Sequence, residues 1–218
     1  MAITEPSHVP LHSNAEIERA VDATLQKTFL RGINPPIDID LIAEKQPLID
    51  SLGFLPDLRQ FDVDAVLLSK PNGQFDIILD ENVYRSRTSF SIAHEIGHIV
   101  LHPTLYLGCN NIEASIELSK KIFTKYYRIE REANYFAGAI LIPRKAIFKD
   151  TEKIYKGIIQ GLAGDDFGWE GIIPMLYSAL ANRYRVSTES MKIRLTQLRI
   201  APRLFDAVSA HLDFISWE

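Results

Sequence analysis

A chain of 218 residues has room for a medium domain followed by a smaller helical one, and its 46% hydrophobic and 24% charged residues are globular proportions that exclude a disordered polypeptide. A net charge of -4 excludes a surface coated in positive charge, and a single cysteine, Cys109, excludes an internal disulfide, which suits a reducing cytoplasm. The opening MAITEPSHVPLHSN lacks a basic segment leading into an apolar run, and no apolar stretch is long enough for a bilayer, so a cytoplasmic protein with no membrane segment is expected.

From the N-terminus, Ile17, Ala20, Val21, Leu25 and Phe29 recur at helical spacing behind a polar Ser13-Asn14 cap and predict a packing helix over 14–30. Gly32 to Pro36 breaks it, and a second helix is expected from about Asp38 to Leu48. The period then changes to two. Val63, Ala65 and Leu67 alternate with Asp62, Asp64 and Val66, Lys70-Pro71-Asn72-Gly73 supplies turn chemistry, and Phe75 to Leu79 reads as the returning strand of an antiparallel hairpin.

Beyond Asn82 the pattern is helical again, and the apolar residues around 88–102 predict a buried helix. A loop with Pro103, Gly108 and Cys109 separates it from helices expected over 112–127 and 129–141, the latter stopped by Pro143. Residues 150–170, rich in Gly and Asp, read as a boundary region, and the last fifty residues as helical throughout.

The chemistry sits at His94-Glu95-Ile96-Gly97-His98, an H-E-x-x-H string on a predicted helix. Two histidines four residues apart stand about 40° apart around a helix and roughly 6 Å along it, so both imidazoles reach one metal ion. Glu95 projects beside them, where it can hold a metal-bound water and accept its proton. A hydrolytic zinc site needs a third protein ligand and an open fourth position. A histidine six residues after His98 would serve, but that position is Thr104. Glu130-Arg131-Glu132-Ala133-Asn134 offers Glu130, with Asn134 one turn on to hold a ligand histidine from behind. Glu132 is the rival ligand; it lies about 200° round the helix from Glu130, so only one of them should face the metal.

The strings RTSFSIAHEIGHIVLH and EREANYFAGAILIP resemble the ImmA/IrrE family of metallopeptidases, with the likeness running through about residues 35–145. The resemblance implies a compact zinc peptidase in which His94, His98 and Glu130 bind Zn2+ and Glu95 is the base. It further implies a substrate class: relatives cleave a companion helix-turn-helix repressor and so relieve repression after DNA damage, mobile-element induction or phage attack. The chain departs from the family pattern in a long stretch between the motifs, Pro103 to Arg128, and no sensory domain of the kind some relatives carry is expected in the residues after 204.

Other residues invite a role. His102 reads as a hydrogen-bonded structural histidine or a spare ligand, and His8, His12 and His211 lie outside the motifs and receive none. Cys109 lies eleven residues beyond His98, a reach of roughly 35 Å when extended. A small buried side chain is the plainer reading, with its thiolate as an inhibitory resting-state zinc ligand the alternative. Tyr126, Tyr127 and Tyr135 are each candidates to steady the oxyanion of hydrolysis.

Lys120, Lys121 and Lys125 interleave with aromatics, and residues 171–204 hold six Arg or Lys against Glu189 alone. These, with Arg183, Arg185, Lys192, Arg194 and Arg199, form a candidate surface for single-stranded DNA as activator, against an ordinary amphipathic helix as the plainer reading. The run from Leu176 to Leu195 resembles a helix-turn-helix with Ser187 capping its second helix.

The expected fold is therefore α+β: a zincin-like metallopeptidase domain over residues 1–148 with a small antiparallel sheet, then a helical C-terminal segment over 149–218, helix-turn-helix-like around 176–199. The expected function is a zinc endopeptidase acting on a helix-turn-helix repressor. The alternatives are a DNA-binding or antitoxin-type interaction module that keeps a structural zinc site; the intact Glu95 beside the histidines favours the enzyme.

Overall fold

The computed structural model describes residues 9–30, 32–82, 85–161 and 169–201, which form eight helices and a three-stranded sheet in a mixed α+β arrangement. α1 (Asn14–Thr28) begins at a reciprocal cap: Ser13 Oγ accepts the Glu16 N–H at 3.3 Å and the Glu16 carboxylate accepts the Ser13 N–H at 2.7 Å. Ile17, Val21 and Leu25 then fall on one buried stripe. α2 (Ile39–Lys45) is capped by the Asp38 carboxylate, which accepts from the Leu41 N–H at 3.0 Å.

The expected hairpin is present as β2 (Ala65–Ser69) and β3 (Phe75–Asp80), antiparallel with Leu67 opposite Ile77. Its turn closes through Gly73, whose φ of 83° suits a residue without a Cβ. A third strand, β1 (Ile49–Leu55), pairs with β3 in parallel, so the sheet is mixed and not antiparallel as expected. β1 escapes notice because it is an edge strand whose exposure follows no alternation: Ile49 is buried, while Asp50, Ser51 and Phe54 are exposed. The order β1-β3-β2 puts β3 in the middle, and Phe75, Ile77 and Leu79 are accordingly buried.

α3 (Arg85–Leu101), α4 (Ile112–Lys125) and α5 (Tyr127–Leu141) follow. Asn111 caps α4, its side-chain oxygen accepting from the Ala114 N–H at 2.8 Å. Of the described residues, those up to 32 and within 38–140 form one compact unit, and those within 33–37 and from 141 onward a second.

The second unit contains α6 (Arg144–Gly161), α7 (Trp169–Tyr184) and α8 (Thr188–Gln197). Residues 150–161, expected as a boundary, are helical instead, because Ile147, Asp150, Thr151 and Tyr155 share a buried stripe that outweighs the cost of Gly157; residues 162–168 lie outside the described residues. Asp150 is buried with its carboxylate accepting from Tyr184 Oη at 2.9 Å and Arg183 Nε at 2.6 Å. Ser187 caps α8, its Oγ accepting from the Ser190 N–H at 3.0 Å. No helix among the described residues is long and apolar enough to cross a membrane.

Candidate metal centre

Gly97 decides how closely α3 and α5 meet. A Cβ there would stand 3.2 Å from Ala133 Cα, Ala133 O and Phe136 Cβ, so the glycine is the allowance that lets the two helices touch backbone to backbone. That approach carries Glu130, one turn before Ala133, against the histidines of α3. His94 Nε2 and His98 Nε2 are 3.0 Å apart, Glu130 Oε2 is 3.3 Å from the first and Glu130 Oε1 is 3.4 Å from the second. Ligand atoms bound at about 2.0–2.2 Å around a tetrahedral ion stand roughly 3.4 Å from one another, so this donor set fits a zinc-sized cation. His94 Nδ1 lies 3.1 Å from Asn134 Oδ1; the ring N–H donates to the amide oxygen and leaves the Nε2 lone pair aimed at the metal position.

The electrostatics of the group describe a place built for positive charge. Burial acts to raise the Glu130 carboxyl, but hydrogen bonds from His94 and His98 outweigh it and hold the group well below the usual carboxylate range. Burial opposes charge on His94, yet the bond to Glu130, the charges of Glu130 and Glu95 and the bond to Asn134 prevail, and the ring is raised to about 9. A proton thus takes the cation's place when no metal is bound. Glu95 is 7% exposed, and burial pushes its carboxyl up, against the pull of His94 and His98 and with that of Glu130. Such a base holds a proton more firmly than an exposed glutamate does.

His94, Glu95, His98 and Glu130 line a cavity of about 530 Å³. One wall is the segment Phe61 to Ala65 that leads into β2, and the other is α4, with Ser119, Lys120, Phe123 and Thr124. Lys120 Nζ stands 5.7 Å from the centroid of the Phe61 ring, a cation–π contact joining the two walls. Tyr106 also lines the cavity, 2% exposed, its ring centroid 5.4 Å from that of His98 and its hydroxyl 3.5 Å from Ser119 Oγ. Burial, then the charges of Glu95 and Glu130, push its phenol well above the ordinary value, so it remains an O–H donor.

Residues 54–196 match the family model of the IrrE N-terminal-like domain, a peptidase family. The chain belongs to the ImmA/IrrE family of metallopeptidases. Its α+β fold is the zincin-like one of that family. A solved structure described as a Mycobacterium tuberculosis transcriptional regulator is similar over 84% of this chain at 17% identity and a TM-score of 0.49, and the chain spans 46% of that protein's length. No curated protein matches the chain.

In this ImmA/IrrE chain the structure brings together His94, Glu95, His98, Glu130 and Asn134, and turns Glu132 away toward His12 and His102. His102 Nε2 lies 3.2 Å from Glu132 Oε2; burial, with the charges of His98 and His12, lowers the ring to about 3, so the contact is a hydrogen bond from a neutral imidazole and not an ion pair. Of the tyrosines weighed from sequence, Tyr127 is 70% exposed, Tyr135 Oη donates to Glu18 at 2.8 Å, and none of the three lines the cavity. Tyr106 was missed because the turn after Leu101 that swings it back beside His98 has no local signature.

Cys109 is not brought to the metal group, against the zinc-ligand alternative, and is buried as the plainer reading has it. Its carbonyl accepts the Ser69 N–H at 2.7 Å and Ser69 Oγ accepts the Gly108 N–H at 3.0 Å, so this loop is stitched to β2 and not folded across the metal position. The thiol is fully buried, and burial pushes it up to about 11.

The cations divide among several duties. Arg194, expected to meet nucleic acid, is instead fully buried with its Nε donating to the Ile142 carbonyl at 3.0 Å. Arg183 is paired with Asp150, Lys120 belongs to the cavity wall, and Lys121 is half-buried. Lys125, Arg185, Lys192 and Arg199 are exposed.

Proposed function

We propose that the chain is a zinc-dependent endopeptidase that cleaves a companion helix-turn-helix repressor and thereby relieves repression in a stress, DNA-damage or phage-defence response. The observation that carries the peptidase reading is the convergence of His94, His98 and Glu130 within coordination distance of one point, with the buried carboxyl of Glu95 on the wall of the same open cavity. A site that served folding alone would be closed and would need no base beside it. The repressor as substrate rests on the family resemblance.

His94, His98 and Glu130 would hold the ion, and Asn134 fixes the His94 ring so that its Nε2 is the ligating atom. Zinc, when bound, lowers the pKa of a water to about 7 and polarises a carbonyl. Glu95 takes the proton from the attacking water and delivers it to the leaving amine. Tyr106 offers its O–H to the oxygen on which negative charge develops. The substrate backbone would lie along the free edge of β2, where Val63 to Ala65 border the cavity; farther along, the edge is closed by the bond between Ser69 and Cys109.

Incubation of the zinc-loaded chain with the product of a neighbouring helix-turn-helix gene tests the reading. The expected result is discrete cleavage that chelation stops and zinc restores. A repressor left intact by the loaded chain, while still forming a complex with it, would support the interaction-module alternative and overturn the peptidase.

A further inference from the structure

On the face of α5 turned away from Glu130, a second set of two histidines and one carboxylate converges. One ligand atom from each of His12, His102 and Glu132 lies within 4.8 Å of the other two. Glu132 Oε2 is 3.2 Å from His102 Nε2 and also accepts the His12 backbone N–H at 2.9 Å. The three residues come from separate elements: the segment preceding α1, the residue directly after α3, and α5. None of the three lines the catalytic cavity.

Two features distinguish this cluster from an ordinary hydrogen-bond network. First, two of its three members are buried and incompletely satisfied. His102 and Glu132 are 1% and 2% exposed, yet His102 Nδ1 and Glu132 Oε1 make no hydrogen bond among the described residues, the latter having only the Arg128 guanidinium at 3.4 Å. Buried polar side chains usually find partners, and unpaired ones often mark an ion or water. Second, it repeats the catalytic donor set. His98 presents Nε2 to Glu130 while its Nδ1 is buried without a partner, and His102 presents Nε2 to Glu132 in the same way. His12 Nε2 stands 3.0 Å from the Leu101 carbonyl, the kind of outer partner that orients a ligating imidazole and leaves the other ring nitrogen for the ion.

We infer that His12, His102 and Glu132 bind a second divalent cation of the zinc class, which staples the segment before α1 to α3 and α5. Two imidazoles and one carboxylate select zinc-like ions over magnesium or calcium, which prefer all-oxygen shells. An ion whose ligands come from three separate elements adds its binding free energy to folding. The inference does not rest on the peptidase reading.

Metal content of the full-length chain tests it, measured by mass spectrometry after zinc loading and dialysis into metal-free buffer. The expected result is two zinc ions per wild-type chain and one in His12→Ala, in Glu132→Gln and in Glu130→Ala. Glu132→Gln keeps a hydrogen-bond acceptor for the His12 N–H, so a mere hydrogen-bond network would tolerate it. In Glu130→Ala, X-ray absorption should find imidazole nitrogen and carboxylate oxygen around the remaining ion. One zinc per wild-type chain, lost in Glu130→Ala and kept in His12→Ala, overturns the inference, as do two ions retained in both His12→Ala and Glu132→Gln. Two ions retained in Glu130→Ala, with one lost in His12→Ala, would leave this site standing and refute the catalytic ligand set.

Discussion

Glu95 and Tyr106 stand on the same cavity, and they make opposite demands on a proton. Glu95 must be ionised to take one, and its carboxyl is pushed up by burial, so cleavage should fall on the acid side at a higher pH than an exposed glutamate would give. Glu95→Gln should retain zinc and lose about 10²- to 10⁴-fold in kcat, since the amide cannot accept a proton. Turnover at the wild-type rate would remove Glu95 from the reaction. Tyr106 must stay protonated to donate, and its raised phenol guarantees that across the working range. Tyr106→Phe should keep the metal and KM and lose roughly 10²-fold in kcat, the usual cost of one oxyanion donor; a change confined to KM would mean that the phenol only touches substrate. Of these residues only the motif could be read in the sequence. His94, Glu95 and His98 announce themselves because their chemistry needs helical spacing, and Glu130 with Asn134 because it needs one more turn. Tyr106 and His12 reach their places through tertiary folding, which leaves no periodic trace.

Among the elements, the pair α3 and α5 carries the site, and its geometry hangs on Gly97 against Ala133. A methyl group added at Gly97 meets backbone atoms and the Phe136 Cβ at 3.2 Å, none of which is the yielding end of a flexible side chain. The helices must therefore separate by a few tenths of an ångström, and Glu130 moves away from both histidines together. Gly97→Ala should keep the helical content, raising intrinsic helix propensity by about 1 kcal/mol, while zinc affinity falls on the order of tenfold or more. A competition titration against a chromophoric chelator reads this directly, and wild-type affinity would show that the helices absorb the methyl elsewhere. At this scale the sequence was most legible where one face of an element is buried, as for α1, the β2–β3 hairpin and α8. It was least legible for β1, an edge strand with no clean alternation, and for α6, whose Gly and Asp content speaks for a loop while its buried stripe makes a helix.

For the whole molecule, the metal links stability to pH in a direction that the site's charges determine. All three proposed ligands belong to the first compact unit, so an ion held by His94, His98 and Glu130 would stabilise that folded unit by its binding free energy. At a hundredfold excess over Kd this is about 2.7 kcal/mol, or a shift in Tm of roughly 5–10 °C for a domain of this size. Without the ion, His94 has a folded value of about 9, raised from 6.5, and the protonated ring paired with Glu130 stabilises the metal-free fold. That contribution is fully present below pH 6.5 and is lost as pH rises through about 9. Zinc must displace the same proton, so its affinity grows by up to tenfold per pH unit across that window. The two effects act together: at low pH the proton already does what the metal would do, and at high pH only the metal can. In His12→Ala, which keeps only the ion held by His94, His98 and Glu130, the gap between zinc-loaded and chelated melting temperatures should therefore be small at pH 6 and widen toward pH 9. With Glu130→Ala added, which removes the carboxylate that raises His94, most of this pH dependence should vanish along with that ion. A gap in His12→Ala that stays constant from pH 6 to 9 would show that no proton leaves His94 on binding, and that the ion is held by other residues.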